Sequence, residues 1–209
     1  MNFIYKKFLT INALAFLLIA TITFSCSQKK PASIGDTAFQ IKMNKDFKDA
    51  SKSPLKQKDL KTFENLDFFK FDSAFVVQAK LKRTPNSEWF DMKTTTDRVT
   101  VERVYGVLSF SIKGTAYALN VYQEKSGFGK MKADKKLFLP FLDDTNGNST
   151  YGGGRYIDLK VPEGNIIEID FNKAYNPYCA YNDKYSCPIV PRVNYLPIKI
   201  EAGVKAFKK

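Results

Sequence analysis

Between Asp143 and Pro188 the chain reads DDTNGNSTYGGGRYIDLKVPEGNIIEIDFNKAYNPYCAYNDKYSCP. Carboxylates, amides, phenols, an arginine and two thiols are crowded into one segment, interrupted by three consecutive glycines. Backbone freedom beside a fixed cation and polar side chains is how binding and reaction sites are usually assembled. Three carboxylates are available for acid–base work, Asp144, Asp158 and Asp170. Two carboxyl groups in unlike environments can divide the roles of acid and base, which makes Asp144 and Asp170 the catalytic candidates for a hydrolase.

Gly152-Gly153-Gly154-Arg155 can act differently. Successive glycines can aim several backbone N–H groups at one anion, and Arg155 adds a planar charged fork. Neither nucleotide-binding glycine fingerprint is present, because no Lys-Ser/Thr follows and the GxGxxG spacing is missing. The competing reading is a tight turn or bulge, with Arg155 paired to Asp144 or Asp170. Further on, Asn172, Tyr175, Asn176 and Asn182 supply amides and a phenol. If the two stretches meet across a sheet, Tyr151, Gly152, Gly153, Gly154, Arg155, Asn172, Tyr175, Asn176 and Asn182 line one pocket suited to a small polar or anionic molecule.

Other chemistries fit less well. Asp144, Asn146 and Asn148 alternate as in a calcium loop, but the sixth and twelfth places counted from Asp144 hold Ser149 and Arg155. An EF-hand needs glycine and glutamate there, so turns capped by Asn and Asp side chains are expected instead. The chain contains no histidine. Cys179 and Cys187 therefore make a poor zinc set and have no imidazole to activate them as nucleophiles. In an exported protein they can also close a disulfide around residues 180–186. No metal and no cofactor is expected.

The N-terminus predicts export. Lys6 and Lys7 precede an uncharged apolar run from Ile11 to Ile22, and Thr23-Phe24-Ser25 leads to Cys26. The run is too short for a membrane span and suits a signal peptide over residues 1–25. Cys26 resembles the acylated cysteine of bacterial lipoproteins, although Thr23 stands where an aliphatic residue is usual. Residues 26–38 are polar and small, a tether. Residues 39–209, about 170 in all, suffice for one domain. These features predict a lipid-anchored protein of the bacterial cell envelope, on the periplasmic or surface side.

The formal net charge is +12, with 33 Lys and Arg against 21 Asp and Glu. The basic residues are scattered lysines without interleaved stacking aromatics, so a nucleic-acid partner is not expected. The expected partners are the membrane, through the anchor, and a small ligand.

The elements that must position these residues read as short strands. Residues 75–81, 107–112, 115–122, 137–142, 156–161, 166–171 and 196–201 are rich in apolar and β-branched side chains. Arg98 to Val104 alternates with a period of two, which places its three valines on one face. Lys113-Gly114 makes a hairpin turn, and residues 162–165 read as a second hairpin loop. Ser53-Pro54 opens a short helix to about Glu64, followed by a phenylalanine cluster. The fold class is mainly β, an antiparallel sandwich or barrel with a short N-terminal helix.

The motifs are similar to those of a family. Phe138-Leu139-Pro140-Phe141, Asp144, Thr145, Gly147 and Thr150 to Tyr156 resemble the hallmark of bacterial proteins classed as domain of unknown function 1684 (DUF1684). Asp170-Phe171-Asn172, Ala174 to Asn182, Ser186-Cys187-Pro188, Asn194, Leu196 and Ala202-Gly203 are similar to its second hallmark. Ser53-Pro54-Leu55 and Phe68-Phe69 to Asp72 resemble its N-terminal part. Val204 departs from the charged residue that often follows the Ala-Gly pair. The resemblance spans nearly the whole domain and implies no established activity. Two readings follow, a lipid-anchored ligand-binding protein and a carboxylate-dependent hydrolase.

Overall fold

A computed structural model describes residues 37–125 and 136–208. The expected signal peptide, Cys26 and the tether up to residue 36 lie outside the described residues. Helix α1 (Ala38–Lys48) begins at once, with the Thr37 hydroxyl accepting the Gln40 N–H and Lys45 and Lys48 in the last turn. Both devices suit a helix end. Its appearance differs from the expectation, since Phe39 to Lys48 carries no regular apolar stripe. The explanation lies in two polar residues that face inward: Gln40 and Asn44 are buried with Phe47, and Asn44 accepts the Leu66 N–H at 2.8 Å.

The helix expected over residues 54–64 shrinks to one turn, α2 (Gln57–Leu60). Pro54 and Leu55 are buried outside it, because Leu55 and Leu66 pack with Phe47, Tyr181 and Val204 in a small second core. The chain wraps this core in extended form, so the apolar contacts override the capping signal.

Eight strands form one sheet: β1 (Val76–Arg83), β2 (Trp89–Lys93), β3 (Val99–Ile112), β4 (Thr115–Glu124), β5 (Lys136–Asp143), β6 (Arg155–Lys160), β7 (Ile166–Asp170) and β8 (Tyr195–Leu196). The main path runs β6-β5-β4-β3-β1-β7, with β2 beside β3 and β8 beside β5. All these pairings are antiparallel except that of β8, which lies parallel to β5. Residues from β1, β3, β4, β5, β6 and β7 pack into a single buried cluster, so the sheet curls around its own face as a half-barrel. The mainly β expectation stands.

Three details depart from it. Residues 162–165 are no hairpin, because β6 and β7 end opposite sides of the main path; the link crosses the open side, where Asn165 O accepts the Leu81 N–H. The last strand is two residues long. β2 was not foreseen. The hairpin at Lys113-Gly114 is present, with both residues at positive φ, 49° and 82°, as a type I′ turn requires. Between β4 and β5 the ladder registers at Tyr122↔Phe138. Asn194 reinforces it, accepting from Asn120 N at 2.9 Å and donating to Asn120 O and Pro140 O at 2.8 and 2.7 Å.

Candidate functional site

β3 and β4 change register in mid-strand. Val104 pairs with Tyr122 but Gly106 pairs with Val121, leaving Tyr105 as the extra residue of a β-bulge. Because side chains alternate along a strand, one inserted residue exchanges the two faces. Beyond the bulge, Leu108, Phe110 and Ile112 enter the main core with Leu119 and Val121. Before it, Thr100 and Glu102 turn to the opposite face, beside Tyr122 and Glu124. The result puts the valine face of this segment outward. Val99 and Val101 are exposed, at 44% and 36%, while Glu102 is only 3% exposed.

On that opposite face the sheet carries a cavity of about 770 Å³. Its floor is Glu102 of β3, Glu124 of β4, Lys136 and Phe138 of β5, and Tyr156 and Asp158 of β6. Phe39 and Met43 of α1 and the stretch from Tyr175 to Pro188 form the other walls. The walls are held in place by specific bonds. Tyr156 and Tyr175 exchange backbone hydrogen bonds at 2.9 and 3.0 Å, the Tyr156 hydroxyl donates to Pro188 O, and Ile189 N donates to Lys93 O at 2.8 Å.

Charged groups cluster on the cavity floor. Lys136 Nζ lies 3.0 Å from Asp158 Oδ2, and the Tyr175 hydroxyl donates to Asp158 Oδ1 at 3.0 Å. Glu102 stands directly across from Glu124 in the ladder. Burial, reinforced by the Glu124 charge, pushes the Glu102 carboxyl up to about 7, with the Thr100 hydroxyl acting against both. Glu102 Oε2 is buried without a hydrogen-bond partner. Burial raises the Tyr156 and Tyr175 phenols, so both are neutral donors at neutral pH.

The residues singled out from the sequence do come together, but mostly to bond one another. Arg155 is fully buried. Its Nη2 meets Asp143 Oδ2 and Ile200 O, each at 2.8 Å, and its Nη1 donates to Ala202 O. The two terminal nitrogens are therefore bonded inside the fold, while Nε is buried without a hydrogen-bond partner. Its carboxylate partner is Asp143, not Asp144 or Asp170. Of the three glycines only Gly154 has a positive φ, 88°, and a Cβ there would lie 2.7 Å from Phe141 O. Close approach of backbone to β5 accounts for it, and no anion cradle is needed.

Asn172 clasps Asp72 through both its N–H and C=O at 3.0 Å, Asn176 donates to Lys205 O at 3.0 Å, and Asn182 accepts from Lys184 N in a turn. Asp170 accepts from Asn172 N and pairs with Lys173, each at 3.0 Å. Asp144 is exposed and accepts from the Tyr195 hydroxyl. Neither acid lines the cavity. The Asp143–Thr150 loop is an internal turn, Asp143 Oδ1 accepting from Thr145 N at 2.8 Å. Among the described residues no cluster of three acidic or sulfur ligands could hold a metal.

From the expected ligand set only Tyr175 lines the cavity, joined by Asp158 and Cys187. Tyr151 stands nearby, its hydroxyl 3.8 Å from Cys179 Sγ. Cys179 and Cys187 are both thiols, with Cys187 Sγ accepting the Cys179 N–H at 3.2 Å. Hydrogen bonds from Cys187, Tyr151 and Thr95 pull the Cys179 thiol down to about 6 against the cost of burial. Glu102, Glu124, Lys136 and the α1 wall were missed. The available signal was Gly106, since an isolated glycine within a strand pattern points to a bulge.

Residues 61–205 match the family model described as a protein of unknown function, DUF1684, and the chain belongs to that family. An uncharacterised protein of Haloarcula marismortui, solved by NMR in solution, is similar at 30% identity. The match covers 79% of this chain and 89% of that one, with a TM-score of 0.63. No curated protein matches.

Proposed function

We propose that this member of the DUF1684 family is an envelope-anchored binding protein that takes a small organic molecule into the cavity between the sheet and α1. The cavity itself carries the reading: at about 770 Å³ it has the size of a small-molecule site. Its walls are mainly carbon, from Phe39, Met43, Phe138 and Tyr156, with a few convergent polar groups from Glu102, Glu124, Asp158 and Tyr175. That composition favours an organic ligand with an apolar body. With Arg155 bonded inside the fold, the anionic alternative loses the cation it relied on. The anchored location rests on the sequence from Lys6 to Cys26.

A thermal-shift screen of small molecules against the full-length protein tests the binding role. Hits should stabilise the wild type and lose their effect in Met43→Trp, whose indole would fill the cavity beside α1. No stabilising compound, or shifts indifferent to Met43→Trp, would refute it. The anchor is tested separately by palmitate labelling, which should vanish in Cys26→Ala.

A further inference from the structure

We propose that Cys179 and Cys187 form a thiol–disulfide exchange site for low-molecular-weight disulfides, with Cys179 as the attacking sulfur and Cys187 as the resolving one. This goes beyond the binding role and does not rest on what fills the cavity.

The fold places the pair without a bond between the sulfurs. Cys187 Sγ accepts the Cys179 N–H at 3.2 Å, and the two side chains hydrogen-bond each other. The backbone on either side is fixed independently. Thr95 N donates to Cys187 O at 2.9 Å, and Cys187 N donates to Thr95 Oγ1 at 3.1 Å. Next to Cys179, a turn is closed by Tyr181 N and Asn182 N, which both donate to Tyr178 O, at 3.0 and 3.1 Å. A disulfide serving only as a staple would be redundant in a loop already held this way. The sulfurs are left free to cycle, and a bond of about 2.05 Å between them needs only a short approach.

The two sulfurs are unlike in the way exchange requires. Cys179 is half-buried, whereas Cys187 is 6% exposed. Exchange begins at a reachable thiolate, and an attacking thiol works best when its pKa lies near the ambient pH. With the Cys187 S–H as its strongest donor, Cys179 is pulled down to about 6. The Tyr151 phenol, raised to about 12 chiefly by burial, keeps its proton and stands 3.8 Å from Cys179 Sγ. A half-buried sulfur admits a slim disulfide more readily than one embedded in a protein surface, because access governs the attack. Metal binding is less suited, since no third acidic or sulfur ligand joins the two thiols among the described residues.

The reaction runs in two displacements. The Cys179 thiolate attacks one sulfur of R–S–S–R. That bond breaks, Cys179–S–S–R forms, and the first RS⁻ takes up the proton Cys179 had released to solvent. The Cys187 proton had been held by its hydrogen bond to Cys179 and by burial. With the thiolate consumed, Cys187 loses that proton more easily. Its sulfur then attacks Cys179 Sγ, and the second RS⁻ leaves and is protonated. Two electrons pass from the dithiol to the disulfide, giving Cys179–S–S–Cys187 and two RSH. Because the second attack is intramolecular, the mixed disulfide is short-lived.

The test uses full-length protein carrying Cys26→Ala, which leaves these two as its only cysteines. The reduced protein is mixed with bis(2-hydroxyethyl) disulfide at neutral pH, quenched with acid at intervals and mapped by peptide mass. It should release two thiols per chain and end with the Cys179–Cys187 bond, passing through an adduct on Cys179. Adding Cys187→Ser should stop the reaction at that adduct, with one thiol released. Adding Cys179→Ser should slow it at least ~10-fold. The transient adduct is read on the intact pair, so the proposal stays open to refutation even where a serine variant does not fold. No reaction, an adduct formed first on Cys187, or a mixed disulfide that persists in place of the internal bond would overturn the site. So would equal rates in the two serine variants. Reaction with a disulfide-bonded protein but not with the small disulfide would overturn the substrate class.

Discussion

Arg155 Nη2 and Asp143 Oδ2 lie 2.8 Å apart with both side chains wholly excluded from solvent. The guanidinium also ties down Ile200 O and Ala202 O and stacks over Phe141, its Cζ 5.2 Å from the ring centroid. It thereby joins β5 and β6 to the C-terminal segment. Removing one partner of a buried pair leaves the other charge stranded. Arg155→Ala should lose about 3–5 kcal/mol of stability in denaturant unfolding, with ligand affinity of the remaining folded protein unchanged. Retained stability would show that the pair contributes little.

Glu102 should make the protein less stable as the solution becomes more basic. Its carboxyl titrates near 7 in the folded state against a reference value of 4.5, so the native protein holds a proton that the unfolded chain has released. Stability from this group is complete below the unfolded value and is lost as pH rises through the folded one. The loss should be about 2 kcal/mol after allowing for solvent screening at the cavity. Glu102→Gln should therefore raise Tm by roughly 5 °C at pH 8 and very little at pH 4. A constant difference across that range would contradict it.

The two thiols should react very unequally. Cys179 is half-buried while Cys187 is buried, and donors around Cys179 favour its thiolate. In reduced protein, iodoacetamide should label Cys179 first, with a pH–rate midpoint near 6 that moves upward in Tyr151→Phe. Peptide mass mapping gives the site. Equal labelling of both sulfurs would count against the assignment.

The glycine run is predicted to be functionally uneven. Gly154→Ala places a Cβ at positive φ against Phe141 O and Val190, at 2.7 and 2.8 Å, and should cost about 2–4 kcal/mol. Gly152→Ala meets nothing nearer than 3.7 Å and should be tolerated within ~0.5 kcal/mol. Parallel unfolding curves decide it.

Much of the fold was legible because its signals are local. The Lys113-Gly114 turn and the alternating strands β1, β4 and β6 follow from side-chain period and turn chemistry alone. α1 was not legible, since its inward face is built on Gln40 and Asn44 and makes sense only once Leu66 is beside it. The link from β6 to β7 looks like a hairpin in sequence because nothing local reveals that β7 pairs with β1. The dense polar segment was correctly seen as special, but Arg155, Asn172 and Asn176 owe their character to clasping backbone. Glu102 was hidden by Val99 and Val101, whose pattern promises a single valine face, which the bulge at Tyr105 turns outward.

That bulge has a wider consequence. Of the residues bordering the cavity, Leu137 alone also belongs to the main core. Substitutions on the sheet side of the cavity can thus change what the protein recognises with little effect on the main core, whereas Phe47, Met43 and Tyr175 on its other walls also serve the second core.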